Sequence, residues 1–143
     1  MRASYRDDAA ARVDRCHRRI SASHELLQQL AVSTGPAKVR AHPTKRSVAT
    51  ARLEFAAAAK AQELRTAALQ LTEAALAAAI AVRTFLNEAV APDRKTRREA
   101  QSYVRKLHRL AALCERTTRD ATEAAIAVHP VESRTTVSGK HRG

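Results

Sequence analysis

Residues that form turns, strands and stacked aromatic rings are scarce in this sequence. Its 143 residues include 3 Gly and 4 Pro, with 2 Tyr, 2 Phe and no Trp. So few turn-forming residues argue against a β-rich architecture, and so few rings argue against a surface that stacks nucleic-acid bases. Because glycine is this rare, neither a GxxxxGK[S/T] phosphate loop nor a GxGxxG dinucleotide turn can be formed.

Cysteines and long apolar runs are also few. Cys16 and Cys114 are far apart and lack CxxC spacing, which favours reduced core thiols over a disulfide framework or a zinc site. The longest uncharged stretch of the apolar middle, residues 74–82, is much shorter than the roughly 20 residues of a membrane span. Residues 1–8 contain charges and no apolar segment of a secretory signal. We therefore expect a cytoplasmic protein without a membrane span.

Alanine dominates the composition. The chain has 32 Ala residues, and its hydrophobic fraction is 45%. Alanine is the strongest helix former, and so apolar a chain can bury a core of its own. The sequence therefore predicts an all-α protein, with a single domain at residues 1–129 and a core of Ala, Leu and Val.

Apolar residues recur at alternating three- and four-residue steps over three long segments, as on a helix face that packs against a partner. They predict helices at about residues 4–31, 46–91 and 94–128. The intervening residues 32–46 are interpreted as a basic linker, and residues 130–143 as a flexible, disordered tail. The predicted fold is a long antiparallel helical hairpin with an additional N-terminal helix, a coiled-coil-like three-helix bundle.

The second predicted helix is unusually long and apolar. From Ala74 to Val82 it is apolar on every side, which predicts a central helix covered by neighbours on more than one side. The shorter first helix cannot cover the whole hairpin, so self-association is expected. The predicted core seam of the second helix consists of Ala57, Ala61, Leu64, Ala68, Leu71, Ala75, Ala78, Val82, Phe85 and Ala89.

The charge is strongly basic and unevenly distributed. The net charge is +12, and Arg and Lys number 26 against 14 Asp and Glu. Residues 93–119 contain 9 basic and 3 acidic residues, residues 32–52 contain 5 basic residues and no acid, and residues 53–92 have a net charge of −1. Polyanions are the natural electrostatic partners of such a chain. A GC-rich genome, which favours Ala and Arg codons, is the alternative source of part of this basicity.

Arginines of the third predicted helix share one face. At about 100° per residue, six of them fall within an arc of about 80°, opposite the apolar seam at Leu107 and Cys114: Arg94, Arg98, Arg105, Arg109, Arg116 and Arg119. Arginine suits phosphate because its planar group donates two hydrogen bonds and keeps its charge. The predicted nucleic-acid-binding residues are Arg94, Lys95, Arg98, Arg105, Lys106, Arg109, Arg116 and Arg119 on this helix, and Lys38, Arg40, Lys45 and Arg46 in the linker.

The sequence is compatible with more than one function. A solvated bundle face would explain the arginines equally simply, but such faces ordinarily mix charges of both signs. We therefore predict a non-enzymatic module that binds the nucleic-acid phosphate backbone without sequence specificity. The alternative is a helix-mediated assembly or adaptor protein that binds another helical protein or its own copies. A lipid-surface role ranks third.

Catalytic and metal sites are not expected. His17, Asp14 and His24 share one flank of the first predicted helix, but the Glu-x-x-His units of di-iron bundles are absent from the sequence. Ser21 and Ser23 lie within a helix, where no strained nucleophile turn exists. We expect no enzyme activity, cofactor, metal or small-molecule substrate.

Overall fold

The protein is a bundle of three long helices. The computed structural model describes residues 5–34, 48–88 and 93–128, and for residues 31–34 it describes the backbone alone. The helices are α1 (Tyr5–Thr34), α2 (Val48–Glu88) and α3 (Arg94–Val128). Every described residue except Asp93 is helical, so the predicted all-α class is confirmed.

The predicted helix bounds are close to the observed ones. Residues 32–34 belong to α1 and not to the linker, because no helix breaker precedes Gly35 and Pro36. The start of α2 was predicted two residues before its observed start at Val48. The rest of the predicted linker, residues 35–46, lies outside the described residues, as do residues 89–91 and the predicted tail at residues 130–143.

A capping interaction fixes the start of α3. The Thr96 amide donates a hydrogen bond of 2.7 Å to Asp93 Oδ1. The Arg97 amide donates one of 3.0 Å to the Asp93 carbonyl oxygen. Hydrogen bonds from the side chain and backbone of Thr96 lower the pKa of Asp93. Asp93 is therefore the N-cap residue of α3, directly before the predicted and observed start of this helix at residue 94.

α2 and α3 form an antiparallel hairpin, and α1 packs against both. At the closed end of the hairpin, the Phe85 and Tyr103 rings meet edge to face with centroids 5.1 Å apart. α1 runs parallel to α3, and the Arg97 guanidinium lies 5.0 Å from the centre of the Tyr5 ring. The connectivity therefore places the amino ends of α1 and α3 at the same end of the bundle.

Two apolar clusters make up the core, separated by one polar layer. The smaller cluster packs Leu27, Ala68 and Ala121 together. The layer consists of Ser23, Thr72 and Thr118, which are 4%, 0% and 4% exposed. Each helix contributes one residue to this layer. The larger cluster consists of Val13, Cys16, Ile20, Ala75, Ala79, Leu86, Ala100, Val104, Leu107, Ala111 and Cys114.

The core side of α2 is displaced from the predicted seam. Its buried residues are Ala61, Ala68, Thr72, Ala75, Ala79 and Leu86. Leu64, Leu71 and Phe85 of the predicted seam are half-buried, and Ala57 is exposed. The displacement is small, because the buried line and the predicted seam share one side of the helix.

The prediction that α2 is covered on more than one side from residue 74 to 82 is wrong. Ala74, Ala77 and Ile80 are exposed, because the residues of α2 that become buried, such as Ala75, Ala79 and Leu86, lie along one side of the helix. By length and composition alone, α2 could cross a membrane: an 18-residue window has a mean hydropathy of 1.4, and 22% of that window is buried.

The amino-terminal end of α2 extends beyond the bundle. Residues 48–60 are exposed apart from half-buried Thr50 and Ala58, and Ala61 is the first buried residue of the helix. At 1.5 Å per residue, this overhang is about 20 Å long. Leu53 and Phe55 within it are 72% and 78% exposed.

Candidate nucleic-acid interface

All the basic residues predicted on α3 lie on its solvent side. Each of Arg94, Lys95, Arg98, Arg105, Lys106, Arg109, Arg116 and Arg119 is exposed. The buried line of the same helix is Ala100, Val104, Leu107, Ala111, Cys114, Thr118, Ala121 and Ala125. Because the seam packs on α1 and α2, the basic residues are directed away from the core. We call these eight residues the basic face of α3.

The basic face has a regular spacing. The pairs Arg94 with Arg98 and Arg105 with Arg109 are each one turn apart, and the second pair follows the first after eleven residues. Eleven residues are close to three turns of helix, so the pairs repeat along one line. From Arg94 to Arg119 this line is about 37 Å long. That length is on the order of one turn of duplex DNA.

The cations of the basic face are incompletely compensated within the described residues: Glu115 interacts electrostatically with Arg119, and Asp93 with Lys95, but neither contact is an ion pair. None of its eight side chains forms an ion pair with a carboxylate of residues 5–30, 48–88 or 93–128. Asp120 and Glu123, which lie one turn from Arg116 and Arg119, are exposed and form no ion pair there. Like charges at these spacings repel one another by a few tenths of a kcal/mol per pair, and an anionic ligand would relieve that repulsion.

One ion pair links α1 to α3 beside the basic face. Arg19 Nε donates a hydrogen bond of 3.1 Å to Glu115 Oε2, and Arg19 Nη2 donates one to Glu115 Oε1. The hydrogen bond from Arg19 lowers the pKa of Glu115, and the same bond raises the pKa of Arg19. The pair engages a carboxylate whose charge also acts on Arg119, and it joins α1 to α3 at this level of the bundle.

Sequence reasoning missed two arginines of α1. Arg12 and Arg15 are exposed and lie seven and four residues before Arg19, on the side of α1 that faces α3. The local sequence contains no signal of this neighbourhood, because Arg19 and Glu115 are separated by 96 residues along the chain. The predicted linker residues Lys38, Arg40, Lys45 and Arg46 lie outside the described residues.

The histidine flank of α1 faces α2. His24 Nδ1 lies 2.8 Å from the Thr72 hydroxyl oxygen. Asp14 Oδ2 lies 3.9 Å from Arg83 Nη1, an ionic contact too long for a hydrogen bond. Among the residues that the structure describes, no three His, Cys, Asp or Glu side chains form a group that could hold a metal ion.

Both cysteines are core residues. Cys16 and Cys114 are free thiols with no exposed surface. Burial raises the pKa of each thiol, which keeps it protonated and unreactive. The prediction of two reduced core thiols is confirmed.

Comparisons with known proteins supply no analogy for this arrangement. No family model, no curated protein and no solved structure matches the chain. The chemistry of the exposed residues is therefore the basis for assigning a function.

Proposed function

We propose that this protein is a non-enzymatic helical module that binds nucleic acid through the phosphate backbone. The observation that carries the proposal is the basic face of α3: eight exposed cations on one side of one helix, without an ion pair to a described carboxylate. Arginine and lysine in a row neutralise consecutive phosphates and release their counterions. Such contacts position the ligand and do not read its sequence.

Salt dependence is the direct test of this proposal. Binding of a labelled nucleic acid is measured by fluorescence anisotropy from about 50 to 200 mM salt. We expect affinity to fall steeply with salt and to depend little on base sequence. The substitutions R105A and R109A together remove two adjacent charges of the basic face, and they should reduce the slope of log K against log salt by about 1.8 for duplex DNA or about 1.4 for a single strand.

The matched control removes the same net charge from another part of the molecule. Arg52 and Lys60 are exposed on the overhang of α2, and R52A with K60A should leave affinity and salt slope unchanged. All four side chains are exposed, so both double variants should keep the wild-type helicity by circular dichroism. No binding by the wild type at low salt, or equal effects of the two double variants, would contradict the proposal.

A second function, helix-mediated assembly, is favoured by the outer side of α2. Between residues 66 and 84, Glu73 is the one charged residue among the exposed residues of this helix. The other exposed residues of that stretch are Thr66, Ala67, Gln70, Ala74, Ala77, Ile80, Ala81 and Thr84. Because these side chains are mostly small and uncharged, another helix could approach this surface closely. The charged exposed sides of α1 and α3 would not allow such an approach.

Light scattering tests this second function independently of nucleic acid. If copies of the protein assemble through the outer side of α2, replacing Ala77 there with glutamate should dissociate the oligomer. The substitution would bury an unpaired charge in the interface, which is costly. The variant R105A/R109A should remain assembled, since its changes are on α3. A wild type that is monomeric at all accessible concentrations would exclude assembly with its own copies.

A further inference from the structure

The α1 side that faces α3 adds cations to the basic face. Arg19 on this side contacts Glu115 of α3, which establishes that this side of α1 borders α3. Arg15 and Arg12 lie one and two turns earlier on the same side, and both side chains are exposed. Neither forms an ion pair with a described carboxylate. Asp8, one turn before Arg12, is the acidic residue that ends this row.

α1 and α3 are parallel, so their cations form two rows that run in the same direction. Packed helix axes are separated by about 8–10 Å, and the rows are at least that far apart because exposed side chains diverge. Arg12 and Arg15 lie beside the middle of α3, since the Tyr5 contact with Arg97 precedes them and the Arg19 contact with Glu115 follows them. The two rows therefore flank one groove.

Among the described helices, the excess of positive charge is concentrated in α3, which forms one wall of this groove. α3 contains 9 basic and 4 acidic residues, whereas α2 contains 4 of each. The acid that faces the groove at its centre, Glu115, is already paired with Arg19. A ligand laid along the groove meets positive charge on both walls.

No Tyr or Phe ring is free on this side to stack an unpaired base. The two Tyr and two Phe residues of the chain are all described. The Tyr5 ring contacts Arg97, the Phe85 and Tyr103 rings contact each other, and Phe55 lies on the overhang of α2. Single-stranded nucleic acid is ordinarily held by stacking on such rings, and this groove lacks that means of holding it.

From these observations we infer that Arg12 and Arg15 belong to the interface and that its ligand is a double-stranded nucleic acid, contacted on both backbones across one groove. This inference rests on the proposed function and specifies its ligand. A double helix offers two rows of phosphates separated by a groove of about 6 to 12 Å, comparable to the separation of the two rows of cations. A single strand has one row of phosphates and would leave one wall of the groove unoccupied.

The test compares a duplex of about 20 base pairs with a single strand of the same length, each labelled for fluorescence anisotropy. The variant R12A/R15A removes two charges from α1, and R52A/K60A removes two charges from the overhang of α2. Both control residues are exposed and precede Ala61, the first buried residue of α2, so this pair removes an equal charge from outside the interface.

We expect wild-type protein to bind the duplex at least about tenfold more tightly than the single strand at equal salt. R12A/R15A should lower the salt slope for the duplex by about 1.8, and R52A/K60A should not change it. Circular dichroism of both variants checks that the helices are intact, since every substituted side chain is exposed.

The possible results separate this inference from the function on which it rests. Duplex binding that needs Arg105 and Arg109 but not Arg12 and Arg15, or equal affinity for the single strand, overturns the inference alone. Wild-type protein that binds neither nucleic acid at low salt overturns both. If R12A/R15A and R52A/K60A reduce duplex affinity equally, the inference is also contradicted, because the reduction would then depend on net charge and not on the position of the arginines.

Discussion

His24 and Thr72 join α1 to α2 within the middle of the bundle, with 2.8 Å between His24 Nδ1 and Thr72 Oγ1. The Thr72 hydroxyl donates its one hydrogen to the Leu69 carbonyl oxygen at 2.9 Å. It must therefore accept from the histidine, so Nδ1 carries the hydrogen. The neutral Nδ1–H form and the charged imidazole both satisfy this contact.

The same polar layer contains one unsatisfied group. Thr118 Oγ1 is buried and has no hydrogen-bond partner among the described residues. Thr118→Val keeps the shape of the side chain and removes this polar atom, so we expect the free energy of unfolding to rise by up to about 1 kcal/mol. Thr72→Val, which removes two hydrogen bonds, should lower it by about 1 kcal/mol. Urea unfolding gives the free energy of unfolding of both variants. A lower value for Thr118→Val than for wild type would contradict the conclusion that the Thr118 hydroxyl is unsatisfied.

The Arg19 and Glu115 pair should make stability depend on pH at the acidic end. Because the pKa of Glu115 is lowered in the folded protein, its contribution is present above its unfolded pKa and disappears as pH falls through the folded value. With side-chain exposures of 38% and 41%, the pair should stabilise the fold by less than about 1 kcal/mol.

The variant E115Q measures this contribution. We expect E115Q to be less stable than wild type near neutral pH and the two stabilities to converge in acid. Denaturant unfolding at a series of pH values makes the comparison. A difference that stays constant through the acidic range would show that the carboxylate charge is not responsible.

The two cysteines should be protected from alkylation. Both thiols are fully buried, and burial raises the pKa of each, so the folded protein contains little accessible thiolate. We expect iodoacetamide to modify the native protein at least about a hundredfold more slowly than the urea-unfolded chain, because modification requires opening of the bundle. Mass spectrometry of the time course counts the modified thiols. Rapid single modification of native protein would show that one cysteine is accessible.

Two leucines of α2 should differ sharply in their effect on stability. Leu86 is 1% exposed and lies in the larger core cluster, whereas Leu53 is 72% exposed on the overhang. Leu86→Ala should lower the free energy of unfolding by about 2–5 kcal/mol, since it leaves a cavity. Leu53→Ala should change it by less than about 0.5 kcal/mol. Equal effects in thermal and chemical unfolding would indicate that the overhang is packed against another part of the protein.

The basic face of α3 could be predicted from sequence because it depends on one helix alone. Helical periodicity places Arg98, Arg105 and Arg109 on one side once the segment is known to be a helix, and Leu107 marks the opposite side. The contribution of Arg12 and Arg15 could not be predicted in this way. It depends on which side of α1 borders α3, and apolar periodicity does not specify that choice.

Local sequence also failed to predict how far α2 is covered. Apolar residues surround the helix from residue 74 to 82, which predicts burial on every side. Most of them are alanines, however, and a small apolar side chain fits both a core and a solvent-exposed face. The position of the neighbouring helices determines which alanines are covered, and the buried residues of α2 lie along one side of that helix. Ala75 and Ala79 are therefore buried, whereas Ala74 and Ala77 are exposed.

By itself, the sequence determined that the chain is helical, where its helices lie and which side of each helix is apolar, because these properties arise from residues within a few turns of one another. The tertiary structure alone decided how the helices are aligned. The pair of Arg19 with Glu115, the contact of His24 with Thr72 and the groove between α1 and α3 join residues distant in sequence, and such contacts depend on packing of the whole core.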